Sequence, residues 1–249
     1  MVKDAVWLAA KEYKQHFIPV IFTFLASIVL GLIIGSYLAK PDHFIIKFNA
    51  TPLTPFVIDF ILIGTAPAFS TLFMSKPYLS YNSAKHNPYV KRMAVLRSLP
   101  IRLSVLALSR TIFMLMTLLT MSIAYLGTIA FIVITFPDHF FQLLTAGEFF
   151  TFIIVWFGFI LTIGGMNPYI EYGTNGKTLH FMPFIYIGIL FMVEIMFYQF
   201  FNQGILEIIS ELVEKIGWPI GALSIIIGII GCYGWNKLLE YRLANKDYM

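Results

Sequence analysis

The 249-residue sequence is poor in charge and nearly lacks cysteine. Charged residues make up 12% of the chain, whereas a typical soluble domain has about 25%. Hydrophobic residues make up 59% and fall in separate long runs, so we predict a polytopic membrane protein. The single cysteine, Cys232, lies inside one of these runs. This excludes a disulfide within the chain and a cysteine-rich metal site.

The residue patterns of several enzyme classes are also absent. The sequence has no H-E-x-x-H, no G-x-S-x-G and no pair of aspartates on one apolar run. Its five histidines fall on different segments without ligand spacing. Gly176-Lys177-Thr178 matches the end of a phosphate-binding loop, but Glu171 stands where that motif requires a glycine. We therefore expect a chain that is not an enzyme and that holds no metal, cofactor or nucleotide by itself.

One basic stretch, residues 76–110, lies between two apolar runs. It holds seven of the seventeen Lys and Arg residues and no acid. Short basic loops stay on the cytoplasmic side of a membrane. With this loop inside, fourteen of the seventeen basic residues lie in segments predicted to be cytoplasmic. The same bias explains the net charge of +4 without a nucleic-acid partner.

The apolar runs predict one all-α domain, residues 1–249, with six transmembrane helices and both termini in the cytoplasm. A span needs about 20 apolar residues, because each adds 1.5 Å and the apolar core is ~30 Å thick. Residues 1–17 are predicted to lie on the membrane as an amphipathic helix, and residues 203–216 on or in the outer leaflet. Pro67 should kink the second span, and residues 169–180 are expected to form a cytoplasmic turn. The predicted spans are residues 18–38, 56–75, 111–136, 149–168, 181–202 and 217–235.

Two acids and two glycines stand out within these spans. Glu194, near the middle of the fifth span, either lines a translocation path or is protonated and bonded to a neighbouring helix. Asp59, about one turn from the outer end of the second span, either reaches the interface or is a buried functional acid. Both are candidates for the translocation path. Gly31 and Gly35 form a G-x-x-x-G spacing, which favours close packing of the first span against another helix.

Residues 88–99 of the basic loop predict a short helix, which Pro88 starts and Pro100 ends. Tyr89, Met93 and Leu96 share one face at positions i, i+4 and i+7. An apolar and aromatic face bordered by arginine is typical of a protein docking surface. The alternative is that this helix rests on the bilayer, with its charges on anionic lipid.

The order of these parts resembles the membrane subunit of type-2 ATP-binding-cassette transporters. The likeness rests on the surface helix, the six spans, the basic loop with its short helix, the amphipathic piece at 203–216, and LRSLPIRLSVLALSR at 96–110 leading into the third span. The resemblance implies that residues 88–99 are a coupling helix seated in an ATPase subunit. The coupling contacts would be Tyr89, Val90, Met93, Leu96 and Arg97.

The resemblance also implies the rest of the assembly. Two permease subunits, identical or different, would form the path along their first, second and fifth spans, and two ATPase subunits would bind the ATP. The chain resembles permeases in the cell membrane of Gram-positive bacteria that export amphipathic helical peptides such as phenol-soluble modulins. The spans carry no set of charged residues typical of an ion relay, so transport would need a separate ATPase.

Two other functions stay open at this point. One is a non-transporting membrane protein that gives immunity to a peptide antibiotic by binding it. The other is an integral membrane enzyme acting on lipid, with Glu194 and Asp59 as its acids, although these lie on different spans at different predicted depths.

Overall fold

The computed structural model describes residues 1–38, 54–80, 88–135 and 145–246, and within these ranges it is helical without any strand. Short helical pieces also occur at Ala66–Ser70, Lys76–Leu79, Met166–Pro168 and, as a π-helix, at Tyr169–Gly173. Residues 81–87 of the basic loop lie outside the described residues. The main helices are α1 (Val2–Gln15), α2 (Phe17–Leu38), α3 (Thr54–Gly64), α4 (Pro88–Arg97), α5 (Leu103–Thr135), α6 (Ala146–Gly164), α7 (Gly176–Phe201), α8 (Ile205–Ile216) and α9 (Trp218–Asn245).

Five described segments are long and apolar enough to cross a membrane, which confirms the polytopic all-α class. The second predicted span, residues 56–75, is not a continuous helix. It is divided into α3 and the 3₁₀ turn Ala66–Ser70, because Pro67 has no N–H for the helical ladder. Six continuous spans are therefore not observed. The five segments are Phe17–Ser36, Leu103–Ile132, Ala146–Gly173, Gly176–Phe201 and Trp218–Asn245.

Other helices begin at residues different from those predicted. Helix α6 begins at Ala146 because Thr145 and Glu148 form a capping box, in which Glu148 Oε2 accepts from the Thr145 N–H at 2.7 Å. Helix α5 begins at Leu103, well before the predicted residue 111, and so includes Arg110. The predicted turn at 169–180 is instead the π-helix and the first turn of α7.

Aromatic packing holds the interrupted segment, α3 and Ala66–Ser70, against the continuous helices α5 and α6. Phe69, in the 3₁₀ turn, is 2% exposed. Its ring meets Tyr125 of α5 and Trp156 of α6 edge-on, with centroids 5.0 and 5.2 Å away. Such aromatic pairs add to the burial of apolar area. The 3₁₀ turn is thus a packed part of the bundle.

Helix α1 lies alongside the first turns of α5. The Tyr13 hydroxyl donates to Thr120 Oγ1 at 2.9 Å, and the buried residues of α1 are Ala5, Ala9 and Glu12. Val2, Val6 and Trp7 stay exposed. The small side chains of Ala5 and Ala9 allow α1 and α5 to approach closely.

Both ends of the chain meet at one end of the bundle. Leu8 of α1 packs against a cluster that includes Leu239 and Leu243 of α9. Arg97 Nη1 of α4 donates to the carbonyl of Lys246 at 2.8 Å. We call this the basic end; it comprises α1, α4, Tyr169–Gly173 and the last turns of α9. The opposite end, which carries α8, is called the far end.

The segment of residues 54–80 runs antiparallel to α7 along nearly all of its length. Phe56 meets Tyr198 with ring centroids 6.2 Å apart. Further along, His180 Nε2 lies 3.2 Å from the Ser80 carbonyl. The segment therefore extends from the far end to the basic end although its helix is interrupted.

Helices α2 and α5 pack closely at Gly31. A β-carbon added there would stand 2.8 Å from the Tyr125 carbonyl oxygen, so Gly31→Ala should destabilise the fold by about 1–3 kcal/mol through overpacking. Thermal unfolding in detergent, followed by tryptophan fluorescence, measures the change.

The matched control is Gly127→Ala on α5, where an added β-carbon meets nothing within 4 Å. Equal melting temperatures for Gly31→Ala and Gly127→Ala would contradict the close contact between the two helices.

Candidate functional site

The interruption between α3 and the 3₁₀ turn, residues 64–67, is the main irregular feature of the bundle, and we call it the helix break. Because Pro67 lacks an N–H, the Ile63 carbonyl has no helical donor. The Tyr186 hydroxyl of α7 donates to that carbonyl at 2.7 Å. Asn167 Nδ2 donates to the Pro67 carbonyl at 2.7 Å and to Ser70 Oγ at 2.6 Å. Since an apolar medium offers no water to satisfy these groups, the neighbouring segments stabilise the break.

A cavity of about 230 Å³ lies beside the helix break. An engineered apolar cavity of about 150 Å³ holds a benzene molecule, so this one has room for an aromatic or branched aliphatic side chain. Its polar neighbours Asn167 and Tyr186 already donate to the break, which leaves a mainly apolar wall. Pro183 and Ile187 on its rim are exposed, so the cavity opens at the surface of α7. Other wall residues include Gly64, Ala68, Met166, Ile170 and Leu179.

Asp59 and Glu194 come together between the break and the far end. They are 2% and 1% exposed, and their carboxyl groups lie within hydrogen-bonding reach of each other. Asp59 Oδ1 also accepts from the Leu206 N–H at 3.3 Å, in the first turn of α8. Two negative charges this close in an apolar setting would repel strongly, so the pair is more stable when one of the two groups carries a proton.

The sequence analysis expected the two acids at different depths, with Asp59 either at the interface or buried as a functional acid. In the structure Asp59 is buried against α7 and α8. Because both side chains are enclosed, the pair joins three segments at the far end and offers no open surface to a substrate in this conformation.

A second polar cluster lies at the basic end, where the sequence predicted no buried charge. The Glu12 carboxylate pairs with Arg110 and, at 2.9 Å, with Arg92. Arg110 Nη1 also donates to the Tyr172 hydroxyl at 2.9 Å. Glu12 and Arg110 are only 2% and 1% exposed. We call Glu12, Arg92, Arg110 and Tyr172 the Glu12 cluster.

Tyrosines extend this cluster toward the helix break. The Tyr78 hydroxyl donates to Glu171 Oε1 at 2.5 Å. The Tyr89 ring meets Tyr172 at 5.3 Å and Tyr78 at 6.3 Å, both edge-on. Helix α4 thereby contacts both the Glu12 cluster and the segment that follows the break.

The apolar face predicted to dock a partner packs against the chain itself. Met93 is 0% exposed and lies in a cluster with Leu106, Tyr172, Leu239 and Leu243. Tyr89, Val90 and Leu96 are half-buried, whereas Arg97 is exposed. Met93 is therefore not accessible to another protein in this conformation. Spacing at i, i+4 and i+7 identifies an apolar face, but an internal contact and a docking contact share that spacing.

The Glu12 cluster and the tyrosines beside it were not predicted from the sequence, although the sequence contains a signal for Glu12 and Arg110. Ala5, Ala9 and Glu12 lie at i, i+4 and i+7, which places the acid on the small-residue face of α1. Arg110 borders an apolar run, and a buried arginine requires an acid partner. No comparable signal marks Tyr78, Glu171 or Tyr172, because their contacts join segments far apart in the sequence.

No protein family, no curated protein and no solved structure matches this chain. Within the described residues, no group of three or more His, Cys, Asp or Glu side chains is placed to hold a metal ion.

Removing the Tyr186 hydroxyl tests how the break is held. Tyr186→Phe leaves the Ile63 carbonyl without its donor, and interhelical hydrogen bonds of this kind contribute about 0.6–1.7 kcal/mol. We expect a loss of stability in that range, measured by equilibrium unfolding in mixed micelles, with faster hydrogen exchange confined to residues 60–70.

Tyr241→Phe, at a tyrosine that is 71% exposed on α9, is the control and should leave both readouts unchanged. If Tyr186→Phe also left them unchanged, the Tyr186–Ile63 bond would not stabilise the break.

Proposed function

We propose that this chain is the permease subunit of an ATP-driven exporter of the type-2 ATP-binding-cassette class, with a path that follows the helix break. The observation that carries this proposal is the interrupted segment 54–80 beside its cavity. Interrupted helices whose backbone groups are satisfied by neighbouring segments are typical of transporters, where irregular backbone at membrane depth borders a cavity. An immunity or binding protein has no such need for an interrupted span.

In this proposal, segment 54–80 is the sixth crossing. Helix α1 and the last turns of α9 lie together at the basic end, so the chain between them crosses the membrane an even number of times. Five long apolar helices account for five crossings, so one further segment must cross. The basic end is cytoplasmic, because short loops rich in Lys and Arg resist translocation. Helix α8 then lies at the outer face of the bacterial cell membrane.

The energy source in this proposal is a separate ATPase. Among the described residues the two acids at the far end are paired with each other, and a proton-driven carrier needs a longer series of charged groups across the membrane. Two ATPase subunits and a second permease subunit complete the transporter. The cargo is a hydrophobic or amphipathic peptide, which suits the mainly apolar cavity.

We place the ATPase contact on the exposed side of α4, away from Met93. Val95 on α4 and Leu99 just after its end are 65% and 47% exposed, and Lys91 and Arg97 on α4 are also exposed. An exposed apolar patch bordered by charge is a typical protein-binding surface. The proposed ATPase contact is therefore still on α4, but on its exposed side with Val95 and not on the face that contains Met93.

A charge at Val95 should disrupt this contact. Val95→Asp is expected to lower the amount of ATPase recovered with the tagged chain from native membranes at least tenfold, because the carboxylate would be desolvated at the interface. Pull-down followed by an ATP hydrolysis assay measures this. Met93→Asp should instead reduce the amount of folded protein, because Met93 is 0% exposed.

Val2→Asp is the matched control, since Val2 is 59% exposed at the same end of the bundle, and it should retain the ATPase. Full recovery of ATPase with Val95→Asp would contradict the assignment of the ATPase contact to the exposed side of α4. If no ATPase accompanied the wild-type chain, the permease function itself would be wrong.

Filling the cavity should block export without removing the ATPase. Ala68→Phe adds a ring to a wall residue of the cavity, so we expect export of a fluorescent amphipathic peptide from reconstituted vesicles to fall at least fivefold. Ala130→Phe, at an exposed position of α5, is the control. Unchanged export by Ala68→Phe would show that the cavity lies off the path.

A further inference from the structure

The Glu12 carboxylate contacts two arginines that belong to different helices. Oε1 pairs with Nη1 of Arg92 on α4 at 2.9 Å, and Oε2 pairs with Arg110 on α5. We infer that Glu12 is a positioning residue, which joins the short helix α4 to α1 and α5 so that the three helices move together. This inference rests on the proposed function for its role in transport, but the joint itself is a property of the chain.

The two arginines differ in burial, and this difference assigns them different roles. Arg110 is 1% exposed, and its Nε and Nη2 have no hydrogen-bond partner within the described part of the chain. Glu12 is the only acid in an ion pair with Arg110 in that part of the chain, so separating the two would leave a buried charge uncompensated. Of the two ion pairs that Glu12 makes, which together we call the joint, the Glu12–Arg110 pair is therefore the one that stays closed.

Arg92 is the exchangeable half. Its side chain is 31% exposed, so water can solvate the guanidinium when the pair opens. Its Nη2 also donates to Gln15 Oε1 at 3.5 Å, again on α1. Among the described residues, both polar contacts of Arg92 lead to α1, whereas Met93, the next residue, packs on α5 and α9.

This arrangement gives α4 a charged link to α1 that is separate from its apolar contacts. Displacement of α4 by a bound ATPase would act on Glu12 through Arg92, and on α5 through the Glu12–Arg110 pair. The Tyr172 hydroxyl bonded to Arg110 continues the link to the π-helix, which follows α6. Arg92 and Glu12 thus connect the proposed docking helix to two spans.

Arg92→Ala removes the link between α4 and α1 without unfolding the chain, because the buried ion pair between Glu12 and Arg110 remains. In the purified chain, hydrogen exchange of residues 88–97 and 2–15 should rise at least threefold, while exchange in α6 stays the same. In the complex with its ATPase, the subunits should still co-purify, but the peptide exported per ATP hydrolysed should fall at least threefold. Arg92→Lys, which keeps the charge but not the planar fork, should restore part of the coupling.

Lys3→Ala, which removes an exposed charge on α1 outside the docking surface, is the control and should change neither readout. Unchanged exchange in Arg92→Ala would overturn the joint. Raised exchange with unchanged export per ATP would overturn the positioning role, since a merely structural contact behaves in that way. If no ATPase accompanied the wild-type chain, the transport role would fall with the proposed function, and the exchange result would still decide whether the joint exists.

Discussion

The carbonyl oxygen of Ile63 has no donor in its own helix, because the residue four positions later is Pro67. In an apolar medium such a group must be satisfied by the protein, and the Tyr186 hydroxyl does this at 2.7 Å. The requirement brings segment 54–80 against α7 and the turn after α6, where Asn167 donates to the Pro67 carbonyl. The cavity lies beside that contact and is lined in part by Tyr186 itself.

A similar requirement organises the basic end. Arg110 is almost completely buried, and a buried guanidinium persists only with an acid beside it. Glu12 supplies the acid and lies on α1, so the N-terminal helix must pack along α5. The same carboxylate then reaches Arg92, which places α4 beside the bundle. One buried cation thus helps to hold both α1 and α4 against the bundle.

The two ends of the molecule differ in the kind of polar contact they bury. At the basic end, opposite charges neutralise one another, and α4 is joined through a half-exposed arginine that can be solvated when it moves. At the far end, Asp59 lies beside Glu194 and accepts from the first turn of α8, so the buried groups are two acids without a cation. Motion of α4 can therefore be transmitted through ionic contacts without separating the far end.

Composition and the spacing of apolar runs were enough to establish the all-α polytopic class and the approximate places of the five long helices. Those features depend on local physics: run length against bilayer thickness, and proline or a capping box at helix ends. The pairs Asp59–Glu194, Glu12–Arg110 and Tyr186–Ile63 join residues distant in sequence, and no spacing rule relates them. The inward orientation of Met93 was undetermined for the same reason, since one apolar face suits a core or a partner equally well. Only the packing of the helices decides which buried polar groups find one another.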